Sequence, residues 1–322
     1  MAEATSFWVE APGRGALRSE ALARPGPGDV LVEAAASAVS RGTESLVFQG
    51  RVPEGLGEAM RCPFQAGSFP GPVKYGYASL GEVAEGPRAL LGRRVFCLHP
   101  HQDRYVVPAA AVHPVPDDVP DGRAVLAANM ETAVNGLWDA APRLGDRIVV
   151  IGGGVVGMLV ARLASAIPGT ETILVDPLPA KRALAEALDL ATAADVTGLE
   201  PADLVLHASG TETGLAAALE VAGFEATVVE LSWYGDKPVA APLGGGFHPK
   251  RLRILSSQVG HVATAQRARW DTRRRMELAL RLLADPALDR LLEPPVSLAD
   301  LPTVMPRLAA DGGIMCQVVL YG

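Results

Sequence analysis

Residues 147–176 read RIVVIGGGVVGMLVARLASAIPGTETILVD. Residues 148–151 form an uninterrupted apolar run of strand length. The run breaks at Gly152-Gly153-Gly154, and Val156, Leu159, Val160, Leu163 and Ile167 then recur at helical spacing. A second apolar run, residues 172–175, ends in Asp176. The pattern predicts strand, tight turn, helix and strand. The alternation continues downstream. Ala183, Leu184, Ala187 and Leu188 mark a helical face, residues 203–207 a strand, residues 215–222 a helix and residues 226–231 a strand. Residues 253–259 read as a further strand. Strands alternating with helices in this way predict an α/β doubly wound parallel sheet. Met276, Ala279, Leu280 and Leu283 then mark an amphipathic helix, and the chain closes on a β-like MCQVVLY.

The first ~120 residues have another texture. Brief β-like runs at 30–34, 81–84, 94–98 and 105–107 alternate with loops rich in glycine and proline. They predict a mostly β domain with long loops. VHPVPDDVP at 112–120 punctuates its end, and a helix is expected over 125–141.

The glycines carry the first chemistry. Gly152, Gly154 and Gly157 fit G-x-G-x-x-G, placed where that spacing has physical meaning, between a strand and the helix it opens. Gly152 permits the tight turn, Gly154 the close approach of a pyrophosphate, and Gly157 the packing of helix on strand. The helix start, with Val155 and Val156, offers amide donors and a positive dipole end. Asp176 follows Gly157 by 19 residues, near the spacing of a carboxylate that binds both ribose hydroxyls. A 2′-phosphate would meet its negative charge, so NAD(H) is expected over NADP(H). The alternative is a glycine-rich turn beside an idle cleft.

Composition narrows the class. At 322 residues the chain has room for two domains, and 49% hydrophobic residues suffice for large cores. No apolar stretch reaches the ~18 residues of a membrane span, and the start MAEATSFWVE lacks a secretory pattern, so no membrane association and a cytoplasmic location are expected. A net charge of −7 argues against nucleic acid as a partner and leaves a small-molecule substrate. Cys62, Cys97 and Cys316 are odd in number and far apart, which suits a reducing compartment without a disulfide framework. Arg273-Arg274-Arg275 reads as the solvated edge of the last helix.

The full order of parts resembles the medium-chain dehydrogenase/reductase family, the zinc alcohol and polyol dehydrogenases with their zinc-free relatives. SRGTESLVFQG at 40–50, GYASLGEV at 76–83, LGDRIVVIGGGVVG at 144–157, VDPLPAKRALAEAL at 175–188 and the Ser209-Gly210 turn carry the likeness. It implies a GroES-like, mostly β catalytic domain over 1–122 and 263–322, interrupted by a Rossmann domain over 123–262. It also implies a homodimer, often formed through Rossmann edge strands. Lys181 falls where the family has a lysine reaching the adenosine ribose, and Ser209 and Gly210 fall on the nicotinamide side.

The zinc positions depart from that family. Arg41 stands where the resemblance places a cysteine ligand, Tyr77 where it places a histidine, and Ala78 where it places a glutamate. The third ligand region offers Glu131, and the four-cysteine lobe is reduced to Cys97. An arginine, a tyrosine and one carboxylate do not make a zinc site. A rebuilt metal site on His99, His101 and Glu131 is the minority reading.

Another group must then polarise the substrate oxygen. Thr43 aligns with the family's alcohol-binding hydroxyl. Tyr77 offers a phenolic donor, its pKa open to lowering if Lys74 reaches it, with plain filling of the vacated zinc space the slightly favoured alternative. His99 and His101 are candidate acids or bases, with surface loop histidines as the plain alternative. A salt bridge between Glu131 and Arg41 in place of a metal is one reading of that pair, and not the favoured one. The residues 231–234 (LSWY) are expected to border the nicotinamide or substrate, with Trp233 as plain packing the alternative. Together these features predict a zinc-independent NAD(H) oxidoreductase acting on a carbonyl or secondary alcohol. A quinone or enoyl reductase is the runner-up, and an idle nucleotide-binding protein the alternative of another class.

Overall fold

The computed structural model describes residues 3–322 and divides into two compact units. One holds the chain up to Ala128 together with Met276–Gly322, and the other holds Asn129–Arg275. The divisions fall after the proline-marked boundary near 122 and after 263. The reason is local: the helices Ala127–Ala140 and Thr272–Leu282 each continue through a division, so neither lies in a loop.

In the Asn129–Arg275 unit six strands lie in the order Ala191–Ala193, Glu171–Val175, Arg147–Ile151, Ala202–His207, Ala222–Glu230, Arg253–Ser256. Every neighbouring pair is parallel. Ile148, Val150, Leu174, Val205 and Val228 are buried, as central strands covered on both faces require. The helices Val155–Ser165, Pro179–Glu186 and Glu212–Val221 make the crossovers. Chain order reverses at Arg147–Ile151, and that reversal opens the crevice where α/β sheets take ligands. The sixth strand is shorter than expected, ending at Ser256.

In the other unit a seven-stranded sheet runs Leu292–Ser297, Cys316–Leu320, Asp29–Val39, Ser79–Glu85, Arg94–Cys97, Val112–Pro114, with Arg104–Pro108 paired to Asp29–Val39. A four-stranded sheet holds the hairpin Glu3–Ala11 and Arg14–Ala21 with two short strands. Val30 and Val32 point inward between the outward Leu31 and Glu33, the alternation of a one-faced sheet. Val83, Val95, Val107 and Val112 close that core. Met276, Ala279, Leu280 and Leu283 are buried, as their spacing predicts. Among the described residues no helix is long and apolar enough to cross a membrane.

Candidate active site

The glycine turn has the form a dinucleotide needs. Gly152 sits at φ +108°, and a Cβ there would press on the backbone of Ser209. At Gly157 a Cβ would overlap the carbonyl oxygen of Gly152, so only glycine lets the helix seat on the strand. At Gly154 a Cβ would meet nothing within 4 Å, which leaves that backbone open to a ligand. The first intrahelical bond runs from Met158 N to Gly154 O (2.9 Å). The amides of Val155, Val156 and Gly157 therefore precede the ladder and can donate outward.

Asp176 ends the neighbouring strand and is buried. Its Oδ2 accepts from Gly153 N (2.7 Å) and its Oδ1 from Leu178 N (2.9 Å). Each carboxylate oxygen can accept twice, so one position on each remains for a ribose hydroxyl. Lys181 Nζ lies 3.9 Å from Oδ2, and Arg182 Nη1 donates to the carbonyls of Asp176 (2.8 Å) and Pro177 (2.9 Å). Ser209 and Gly210 follow the strand Ala202–His207; Gly210 sits at φ +65° and its amide donates to Ser232 Oγ (3.0 Å). Amides, open glycine and carboxylate fit a nicotinamide dinucleotide, whose nicotinamide ring carries hydride chemistry when bound.

In the β-rich unit the segment SRGTESLVF folds as a helix, Arg41–Phe48, entered at Ser40. The Tyr77 hydroxyl lies near the side chains of Ser40 and Thr43, whose hydroxyls favour its ionised form. Burial, reinforced by the charge of Glu44, raises the Tyr77 pKa, so the phenol keeps its proton. Lys74 does not activate it: Nζ is held at 2.7 Å by Glu20 Oε2 and at 2.7 Å by Gln102 Oε1.

The two histidines of 99–101 are buried, so neither is a surface loop residue. His99 stacks on Tyr105 at 3.7 Å between ring centroids and on Phe64 at 5.5 Å, and its Nδ1 donates to Pro100 O. Burial pushes its pKa down to about 3, so it stays neutral and is no general acid. His101 Nε2 meets Glu44 Oε2 at 2.9 Å, and Nδ1 meets Ser37 Oγ at 2.8 Å. Ser37 Oγ in turn lies 2.9 Å from Tyr321 Oη. Glu44 Oε1 accepts from Ser40 N (2.7 Å), so one carboxylate ties His101 to the start of the hydroxyl-bearing helix.

Glu131 pairs with Arg275 and not with Arg41. Arg275 Nε lies 3.0 Å from Glu131 Oε1, and the guanidinium also donates to Asn135 Oδ1 and to the carbonyls of Val259 and His261. Arg275 is 1% exposed, so the arginine triplet is not a solvated edge: Arg273 and Arg274 face solvent while Arg275 turns inward to the carboxylate. Arg41 keeps its own unit's Asp311 as a favourable charge, while burial lowers its pKa.

These partners bear on zinc directly. Among the described residues no three His, Cys, Asp or Glu side chains gather as a metal site. The thiols of Cys62, Cys97 and Cys316 are buried and free, with pKa values pushed up to about 12 by that burial. His99, His101 and Glu131 are each committed to the contacts above. The residues at the family's ligand positions do not fit the metal.

Sequence reasoning missed Ser37, Ser40 and the pairing of His101 with Glu44, because these contacts join segments far apart in the chain. It also passed over His207 and Glu230. Their signal was a polar residue closing each apolar strand.

No family model matches the chain. A 2-dehydro-3-deoxy-L-galactonate 5-dehydrogenase of Pseudoalteromonas atlantica is 26% identical over 173 residues, half of each chain. A 2-desacetyl-2-hydroxyethyl bacteriochlorophyllide A dehydrogenase of Cereibacter sphaeroides is 30% identical over 210 residues, 58% of this chain and 60% of that one. The chain thus spans about half the length of these curated relatives. A Sinorhizobium meliloti protein assigned as a zinc-binding dehydrogenase, with NADP bound, superposes with a TM-score of 0.79 over 100% of both chains at 20% identity. The chain has the fold of such a dehydrogenase throughout, and over about half its length it is similar in sequence to alcohol and polyol dehydrogenases, with Arg41, Tyr77 and Ala78 where the resemblance puts zinc ligands.

Proposed function

We propose that the chain is a zinc-independent, NAD(H)-dependent oxidoreductase acting on a carbonyl or secondary alcohol. The observation that carries this reading is the pairing of free helix amides at 155–157 with a buried Asp176 whose two oxygens each keep an acceptor position. Named dehydrogenases among the relatives support the oxidoreductase class, and Asp176 supports the unphosphorylated coenzyme.

In this reading Tyr77 Oη donates a hydrogen bond to the substrate oxygen, taking the part of a Lewis acid. Thr43 and Ser40 neighbour the phenol. A donor aimed at developing negative charge lowers the barrier most when it needs no reorganisation. Tyr77 meets that condition because its raised pKa keeps the proton in position. His99, neutral and stacked, excludes water without exchanging a proton.

The test is NADH oxidation by metal-depleted protein against panels of ketones, quinones and enones. Turnover of ketones supports the proposal; turnover of enones or quinones alone, or a requirement for added zinc, overturns it. A homodimer is part of the same reading. The edge strand Arg253–Ser256 leaves Ile254 and Leu255 more than 40% exposed, an unpaired edge suited to a second copy. Sedimentation should give a dimer that Leu255→Lys dissociates; a wild-type monomer contradicts it. The three buried free thiols suit a cytoplasmic setting.

A further inference from the structure

His207 closes the strand Ala202–His207 with no solvent exposure, where an apolar side chain would complete the core. Its Nδ1 lies 2.7 Å from Glu230 Oε2 and its Nε2 2.6 Å from Ser209 Oγ. Glu230 closes the adjacent strand, Ala222–Glu230. Glu230 Oε1 accepts from Ser232 N (2.8 Å), and Tyr234 Oη donates to Oε2 (2.9 Å). A carboxylate only accepts, so Nδ1 carries a hydrogen toward Glu230, while Nε2 and the Ser209 hydroxyl share a hydrogen bond.

Serine, histidine and glutamate in line have the connectivity of a nucleophile relay, but the serine is not free to attack. Thr211 N donates to Ser209 Oγ (3.2 Å), and Thr211 Oγ1 lies 2.8 Å away. A Cβ at Gly214 would overlap Ser209 Oγ and crowd His207 Nε2, so the group is packed against the start of the helix Glu212–Val221. The oxygen is already engaged by His207 Nε2, Thr211 N and Thr211 Oγ1. What the chain of bonds does is tie two strand-end turns, residues 208–211 and 231–234, to each other.

The topology says what those turns receive. The crevice lies where strand order reverses, between Arg147–Ile151 and Ala202–His207. Asp176 stands on one side of it, at the end of Glu171–Val175. A dinucleotide gripped there by its adenosine must lay its other half over the ends of Ala202–His207 and Ala222–Glu230. Ser209 already presses on Gly152, the first glycine of the turn.

We propose that His207, Glu230 and Tyr234 are positioning residues for the nicotinamide–ribose half of the coenzyme, holding the two turns in the shape that receives it. This rests on the coenzyme reading above. The experiment compares NADH, followed by fluorescence, with ADP, which carries only the adenosine diphosphate half, followed by calorimetry. His207→Phe and Glu230→Gln should each raise the Kd for NADH about tenfold, the worth of roughly 1.4 kcal/mol. The Kd for ADP should stay within about twofold of wild type. Gly214→Ala, which removes no relay member, should act in the same direction on NADH. If His207→Phe fails to fold, Glu230→Gln and Tyr234→Phe supply the same reading. Parallel weakening of NADH and ADP, or no change in either, overturns the proposal. Wild-type protein that binds neither ligand overturns the coenzyme reading itself, a separate result.

Discussion

Replacing Arg275 with methionine tests whether its guanidinium is the counter-charge that makes a buried Glu131 tolerable. The side chain is 1% exposed and serves Glu131, Asn135 and two backbone carbonyls. Removing one member of a buried pair costs about 3–5 kcal/mol, because the other charge stays desolvated. For a unit of this size each kcal/mol lowers the melting temperature by about 2–4 °C, so a drop of roughly 6–20 °C is expected. The penalty should depend on pH. Burial raises the Glu131 pKa even with Arg275 beside it, and without the arginine it should rise further. A carboxyl with a folded pKa above its unfolded value favours folding fully at low pH, and that contribution is lost as pH rises through the folded pKa. The Arg275→Met protein should therefore regain stability as pH falls from 8 toward 5. The double variant Arg275→Met/Glu131→Leu should recover half or more of the loss, since an apolar pair can replace a buried ion pair. The assay is calorimetric melting across pH. A single variant melting within 2 °C of wild type, or a double variant no more stable than the single, would refute the reasoning; the 2 °C mark is about 1 kcal/mol or less.

Three further outcomes are expected. Asp176→Ala should weaken NADH binding about tenfold or more, since hydrogen bonds to a charged group are worth about 1.5–3 kcal/mol, and shift the preference toward NADPH; an unchanged NADH/NADPH ratio in fluorescence titration counts against the ribose contact. Tyr77→Phe should lower kcat by about 10²–10³, the usual effect of deleting one oxyanion donor, and because burial raises this phenol's pKa the wild-type rate should show no loss from tyrosine ionisation up to about pH 10. Gly157→Ala should weaken NADH binding and lower the melting temperature together, because its Cβ overlaps the Gly152 carbonyl; a variant with wild-type affinity and melting would mean the turn relaxes at no cost.

The Rossmann half was legible in the sequence because its signals are local. Apolar strands, a glycine turn and a terminal carboxylate follow one another within thirty residues, and the five strands read from the sequence all lie in one parallel sheet, with the short Ala191–Ala193 passed over. The β-rich half was legible as a texture only. The hairpin Glu3–Ala11 with Arg14–Ala21 was passed over because its strand Arg14–Ala21 is half exposed and carries charges. The partners of titratable residues were the least legible. Glu131 and Arg275 are 144 residues apart, and Glu44 and His101 are 57 apart. Such pairings are set by packing, and no spacing rule reaches that far. Arg275 shows the cost most clearly: three consecutive arginines read as one exposed edge, yet helical geometry turns the third side chain away from the other two.

The most direct test is an equilibrium titration of EDTA-treated protein with NADH and NADPH, followed by coenzyme fluorescence. The account predicts saturable NADH binding without metal, with NADPH at least about tenfold weaker, the size of one unfavourable charge contact near 1.4 kcal/mol. Binding of neither coenzyme, or tighter binding of NADPH, would contradict it.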